Sequence, residues 1–284
     1  MFYAMATKIL AGTSGYGYKG WRGTFYPDDL AQDKWLSFYA GELPTVEINN
    51  TFYRMPKEHV VASWRDAVPD SFRFVIKASS RITHQSRLKN AEESTGYLIK
   101  RVRVFGDKLG AVLFQLPPYL QVDIDRLQTF QQLIPDDVPA AFEFRHESWD
   151  DPAVDVALQS RGHARVVTHG DDAPLKDVPA SPLMYLRLRA SNYSPVDLKN
   201  WYARVLASGA AEAFVFFKHE DDGVGPKMAK NFLTGAAEAR TRRPPAKTNK
   251  RKPKAAAKAP AKSTSKTAAR KVPSTAKRKA SQAK

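Results

Sequence analysis

The chain has 284 residues, 43% of them hydrophobic, enough for one large barrel or two smaller domains, and its lack of cysteine excludes disulfides, thiolate metal sites and a cysteine nucleophile. No apolar run reaches the roughly 18 residues of a membrane span, and Met1 to Ala11 is too short and mixed for a signal peptide, so a cytoplasmic protein with no membrane partner is expected. The net charge of +16 sits entirely at the C-terminus: Arg240 to Lys284 hold 17 Lys or Arg and no Asp or Glu, leaving 28 basic against 29 acidic residues before them.

In chain order, Lys8 to Gly12 reads as a short strand that enters the Gly-rich stretch Thr13 to Trp21. Glycines at 12, 15, 17 and 20 allow a tight loop or an anion nest. The stretch lacks the G-K-[ST] ending of a phosphate loop and the spacing of a dinucleotide fingerprint, and a tight loop is the preferred reading. Residues 29–41 predict a helix with Leu30, Trp35, Phe38 and Tyr39 available for its apolar stripe. Thr45 to Asn49 is the second strand, and Glu47 and Asn49 share one face where a parallel strand is ordinarily apolar. A helix over 57–67 leads to the third strand, Phe72 to Lys77, which ends on a cation.

A helix at 92–105 precedes the fourth strand, Gly110 to Leu116, whose polar residue is Gln115 and which Pro117-Pro118 stops. After a helix at 123–134, the fifth strand over 140–145 alternates Phe142 and Phe144 with Glu143 and Arg145, so aromatics take one face and charges the other. A helix at 151–161 and the strand Arg165 to His169 follow, then a connector too short for a helix. Met184 to Arg189 repeats the alternating charge pattern, and a helix at 195–208, the strand Glu212 to Lys218 and a helix at 226–239 complete the series.

Eight strands alternating with helices predict an α/β fold, a TIM (β/α)8-type barrel over 1–239. An open doubly wound sheet is the alternative, but it gathers its ligand groups near one switch point, whereas polar strand ends occur throughout this chain. Residues 240–284 are mostly Lys, Arg, Ala, Pro, Ser and Thr, without an aromatic. They bury too little to offset their ordering entropy and are expected to form a disordered basic tail. Seventeen cations without an acid exceed what solubility requires and point to nonspecific binding of nucleic acid by counterion release, hence to the nucleoid. The composition is similar to that of linker-histone tails.

The strings G-T-S-G-Y-G-Y-K-G-W at 12–21, V-E-I-N-N-T-F-Y-R-M-P at 46–56, F-V-I-K-A at 74–78, I-T-H at 82–84, L-F-Q-L-P-P at 113–118 and F-E-F-R-H-E-S-W at 142–149 recur in one order. Over about residues 8–235 the chain thereby resembles the YecE-like family, domain of unknown function number 72. The resemblance implies a TIM barrel and no established reaction. The chain departs from the family pattern at Y-L-R-L-R-A over 185–190, where R-L-H-G is expected, and at F-F-K-H-E over 216–220, where paired asparagines are expected.

In a TIM barrel the C-terminal strand ends form one mouth, which should collect Glu47, Asn49, Lys77, Gln115, Glu143, Arg145, Arg187 and Lys218. One reading makes it a site in which Glu47, Glu143 and Lys77 are catalytic, one carboxylate acting as general base. Asn49, Tyr16, Tyr53, Gln115, Arg145 and Arg187 then bind the substrate. The other reading makes the charges a self-neutralising buried network. Tyr16, Tyr18, Trp21, Phe52, Tyr53 and Trp149 could form a stacking wall, with Trp21 and Trp149 expected to pack loops instead. No cofactor is assigned. A divalent metal on His84, His146, His169 or His219 with Glu47 and Glu143 is an option that no compact ligand motif supports. The expected function is that of a hydrolase or other general-base enzyme acting on an anionic substrate, phosphorylated or derived from nucleic acid; the alternative is a noncatalytic nucleic-acid- or ligand-binding protein.

Overall fold

The computed structural model describes residues 7–171, 181–218 and 222–241. Short apolar strands separated by helices can pair in sequence only through crossovers, which makes every pairing parallel. The strands are β1 (Lys8–Ser14), β2 (Thr45–Ile48), β3 (Arg73–Lys77), β4 (Leu109–Gln115), β5 (Ala140–Glu143), β6 (Ala164–His169), β7 (Leu183–Leu188) and β8 (Glu212–Phe217). Each pairs in parallel with the next, and β8 pairs with β1 to close the barrel. Around it lie α1 (Trp35–Glu42), α2 (Glu58–Asp66), α3 (Glu92–Val102), α4 (Ile124–Gln131), α5 (Pro152–Gln159), α6 (Pro195–Ala207) and α7 (Val224–Thr241). The predicted (β/α)8 barrel is therefore present, and the open sheet is not.

Strand alternation separates two apolar regions. Leu10, Val75, Ala111, Leu113, Ala141, Ala164, Val166, Leu183, Tyr185, Phe214 and Phe216 fill the barrel interior. The alternate strand residues, such as Phe74, Ile76, Phe114 and Phe142, join the helices in the outer core. Gly12 marks a close approach: a Cβ there would lie 1.9 Å from the Thr45 carbonyl oxygen. Gly12→Ala must push β1 from β2, and a loss of about 1–3 kcal/mol in denaturant unfolding is expected; an unchanged midpoint would show that the strands can separate freely.

Several boundaries differ from the sequence reading. The first helix begins at Trp35, because Gln32–Lys34 form a 3-10 turn ahead of it. The third ends at Val102 and passes into 3-10 turns in which Gly106 has φ 54°. The fifth strand stops at Glu143: its register against β4 ends at Gln115, beyond which Pro117 cannot donate to a ladder. Phe144 and Arg145 thus lie on the loop, where Phe144 stacks on Trp149 at 4.4 Å. Among the described residues no helix is long and apolar enough to cross a membrane. The chain divides into two units, Met1–Arg243 and Pro244–Lys284. All described residues lie in the first, so the expected disordered tail falls outside them apart from Arg240 and Thr241, which continue α7.

Candidate active site at the barrel mouth

The alternation that points Val75, Leu113, Ala141, Val166, Tyr185 and Phe216 into the barrel also points the residue two positions on the same way. Those residues are Lys77, Gln115, Glu143, Thr168, Arg187 and Lys218, and on β1 the same parity carries Leu10 to Ser14. Register sets Ser14 opposite Glu47, Gln115 opposite Glu143 and Thr168 opposite Arg187. A polar layer therefore caps the apolar interior at the C-terminal end.

At its centre Arg187 donates from Nη2 to Glu47 Oε1 and from Nη1 to Glu143 Oε2, each at 2.6 Å. Tyr185 Oη donates to Glu47 Oε2 at 2.6 Å, Asn49 Nδ2 to Glu47 Oε1 at 3.0 Å, and Gln115 Nε2 to Glu143 Oε1 at 2.9 Å. Glu47 is 0% exposed, and Glu143 and Arg187 are buried with it. Such charges persist in the interior only when paired and hydrogen-bonded. Burial pushes the Glu47 carboxyl up, but the Arg187 charge and the donors from Tyr185, Arg187 and Asn49 outweigh it and hold the group below its usual range. Glu143 is held low against the same burial by Arg187 and Arg189, with help from Gln115. The two carboxylates in turn raise Arg187 despite its own burial. The cluster is a hydrogen-bonded triad in which both carboxyls are held below their usual range.

Three more cations surround it. Arg145 Nε lies 3.5 Å and Arg189 Nη2 3.7 Å from Glu143 Oε1. Lys77 makes no ion pair with a described carboxylate; its Nζ sits 4.3 Å from the centroid of the Phe52 ring. Burial first, and then the Arg187 charge, pull its pKa down to about 8 against the upward pull of Glu47 and Glu143. His84 stands edge-on to the same Phe52 ring at 4.9 Å and is held low by burial, Lys77 and Arg145.

The predicted residues Glu47, Asn49, Gln115, Glu143 and Arg187 are thus joined by direct hydrogen bonds, with Lys77 and Arg145 around them. Tyr16 lies beside the mouth, lining a cavity of about 360 Å³ with Tyr18, Trp35 and Asn49. Tyr53 does not join it: it lines a separate cavity of about 530 Å³ and is 83% exposed. Trp21 and Trp149 are buried and pack loops, Trp149 donating from Nε1 to the Leu120 carbonyl at 2.7 Å. Lys218 is exposed.

Sequence reasoning passed over Tyr185, Arg189, Ser14 and Thr168. Tyr185 precedes Arg187 by two residues and so shares its face, a signal that was available in M-Y-L-R. Buried side-chain atoms without a protein partner gather here too. Ser14 Oγ, Asn49 Oδ1, Thr168 Oγ1, Arg187 Nε and Arg189 Nε are five of the nine such atoms among the described residues. Buried polar groups are ordinarily paired, so the mouth holds more unused hydrogen-bonding capacity than any other part of the described residues. Among the described residues the histidines do not gather at one point. His146 Nδ1 pairs with Ser148 Oγ and His169 Nδ1 with Tyr193 Oη, His219 is outside the described residues, and no group of three or more His, Asp or Glu among the described residues is placed to hold an ion.

This chain matches the model of the protein family of unknown function DUF72 over residues 10–255, a span that extends beyond α7 and beyond the expected end near 235. UPF0759 protein YunF of Bacillus subtilis is 28% identical over 146 residues, 48% of this chain and 52% of that protein. UPF0759 protein YecE of Escherichia coli is 28% identical over 138 residues, 46% of this chain and 51% of that protein. The chain spans about half the length of the curated relatives it matches. The crystal structure of a DUF72 family protein from Thermotoga maritima superimposes with a TM-score of 0.67 at 21% identity, covering 80% of this chain and 98% of that one. One from Enterococcus faecalis gives 0.62 at 22% identity, covering 81% and 94%. At these identities the likeness is one of fold, and it agrees with the closed barrel. On the extent of the family match, this chain belongs to DUF72.

Proposed function

We propose that the barrel mouth is the active site of an enzyme that binds an anionic substrate, a phosphorylated small molecule or a nucleic-acid end, and moves a proton through Lys77. The observation that carries this reading is the charge balance: among the described residues, Lys77, Arg145, Arg187 and Arg189 face only Glu47 and Glu143. Arg187 is committed to the two glutamates, leaving three cations to attract an anion. With a pKa of about 8, Lys77 has a neutral fraction near pH 7 and suits a general base better than either locked glutamate. Glu47 and Glu143 then act by fixing Arg187 and setting the field around Lys77. In this proposal the protein works in the cytoplasm at the nucleoid, where the basic C-terminal segment holds it on nucleic acid.

The test is calorimetric titration with inorganic phosphate. Arg145→Ala should weaken binding about tenfold or more, the effect of losing one charged hydrogen-bond partner; equal affinity in variant and parent rejects the anion site. Lys77 is cationic below about pH 8 and neutral above it, so phosphate affinity should fall as the pH rises through 8. Lys77→Met should abolish that dependence. If the fall persists in Lys77→Met, another group is titrating.

A further inference from the structure

Tyr53 is out of place as a surface residue. Tyrosine is ordinarily at least half buried, yet Tyr53 exposes 83% of its area and Tyr97, which lines the same cavity of about 530 Å³, exposes 48%. That volume is within the range of small-molecule sites. Arg54 and Arg81 line it as well, neither forming an ion pair with a described carboxylate, and Glu93 is the one acid in the lining.

The cavity is held firmly on both sides. Thr51 Oγ1 is within hydrogen-bond reach of the Ile48 carbonyl at 3.0 Å and the Lys77 carbonyl at 2.7 Å, tying one wall to the ends of β2 and β3. The other wall is a single π-helical turn, Arg81–Gln85, followed by Arg87, Leu88 and Asn90 at φ 52°, 66° and 47°. These are three of the four non-glycine residues with positive φ among the described residues. Each such conformation costs about 1–3 kcal/mol, and both features concentrate at functional sites. Leu88 anchors the strained loop, its side chain buried and its amide donating to the Ile82 carbonyl at 3.0 Å.

We propose that this cavity binds a nucleotide, its base stacked on Tyr53 and its phosphate held by Arg54 and Arg81. An exposed phenol ring offers a face to any base, and a guanidinium matches phosphate oxygens two at a time. Arg101 covers one face of Tyr97 at 5.1 Å, which stiffens that ring as the second wall. An acidic peptide would use the arginines but leave the Tyr53 ring without a planar partner. The proposal is independent of the chemistry assigned to the mouth, because Arg145 and Glu143 do not line this cavity.

The experiment is calorimetry on the full chain with adenosine 5′-monophosphate, adenosine and inorganic phosphate as separate probes. The monophosphate should bind more tightly than either fragment. Tyr53→Leu, a surface change that leaves the core intact, should weaken the monophosphate about tenfold and leave inorganic phosphate unaffected. Arg81→Ala should also weaken the monophosphate. The proposal is overturned if no monophosphate binds, if it binds no better than phosphate alone, or if Tyr53→Leu binds it as the parent does.

Discussion

Arg187→Met is expected to lower the unfolding free energy by about 3–5 kcal/mol at neutral pH, the cost of leaving buried charge without its partner. The side chain it removes holds Glu47 on one Nη atom and Glu143 on the other, so a single change strands two buried carboxylates. Arg189 at 3.7 Å offers Glu143 partial compensation, while Glu47 keeps only neutral donors, Tyr185 and Asn49. The pH dependence separates charge from packing. In the parent both glutamates titrate below their unfolded values, so their stabilisation is present above the usual carboxylate pKa and is lost as pH falls through the folded values. In Arg187→Met burial and mutual repulsion raise both groups, so the folded state is favoured when they are protonated and is weakened as pH rises through their new values. The gap between variant and parent should therefore narrow toward pH 4 in urea unfolding. A gap that stays constant from pH 4 to 8 would mean that Arg187 contributes by packing alone.

The triad also shows how far the sequence was readable. Glu47, Gln115, Glu143 and Arg187 were identifiable because each breaks the apolar pattern of a parallel strand at its C-terminal end, and the alternation of a strand has only one inward face. Which charges would neutralise one another was not readable, because it depends on register across the barrel. Two glutamates 96 residues apart meet on one arginine of β7, a contact that no local pattern in the sequence announces. Lys77 gained importance for the converse reason: it sits where no described carboxylate reaches it. Tyr16 and Tyr53 both follow a strand end and looked equivalent in sequence, but loop geometry sent them to different cavities. Arg145 remained near Glu143 although the strand stopped short of it.

The C-terminal segment is expected to govern binding to nucleic acid, through charge alone. Removing everything after Arg243 spares the whole of α7, which a cut after Ala239 would shorten, and deletes 14 of the 17 terminal cations. The remaining 1–243 portion is almost neutral, with 31 basic against 29 acidic residues, and should attract a phosphate backbone weakly. Full-length protein should therefore retard duplex DNA with little sequence preference, and neutralising about 6–10 phosphates should lower its affinity by about 10³–10⁵ between 50 and 200 mM salt. The truncated chain should show almost no retardation at the lower salt concentration. Its thermal midpoint should match that of the parent, because α7 and the barrel are intact. A second cut, after Ala255 where the family match ends, removes nine of the 17 cations and should give an intermediate salt slope, since the slope scales with the phosphates neutralised. If truncation after Arg243 left DNA affinity and salt slope unchanged, the binding element would lie on the barrel itself, and Arg54 and Arg81 beside Tyr53 would be the cations to mutate next.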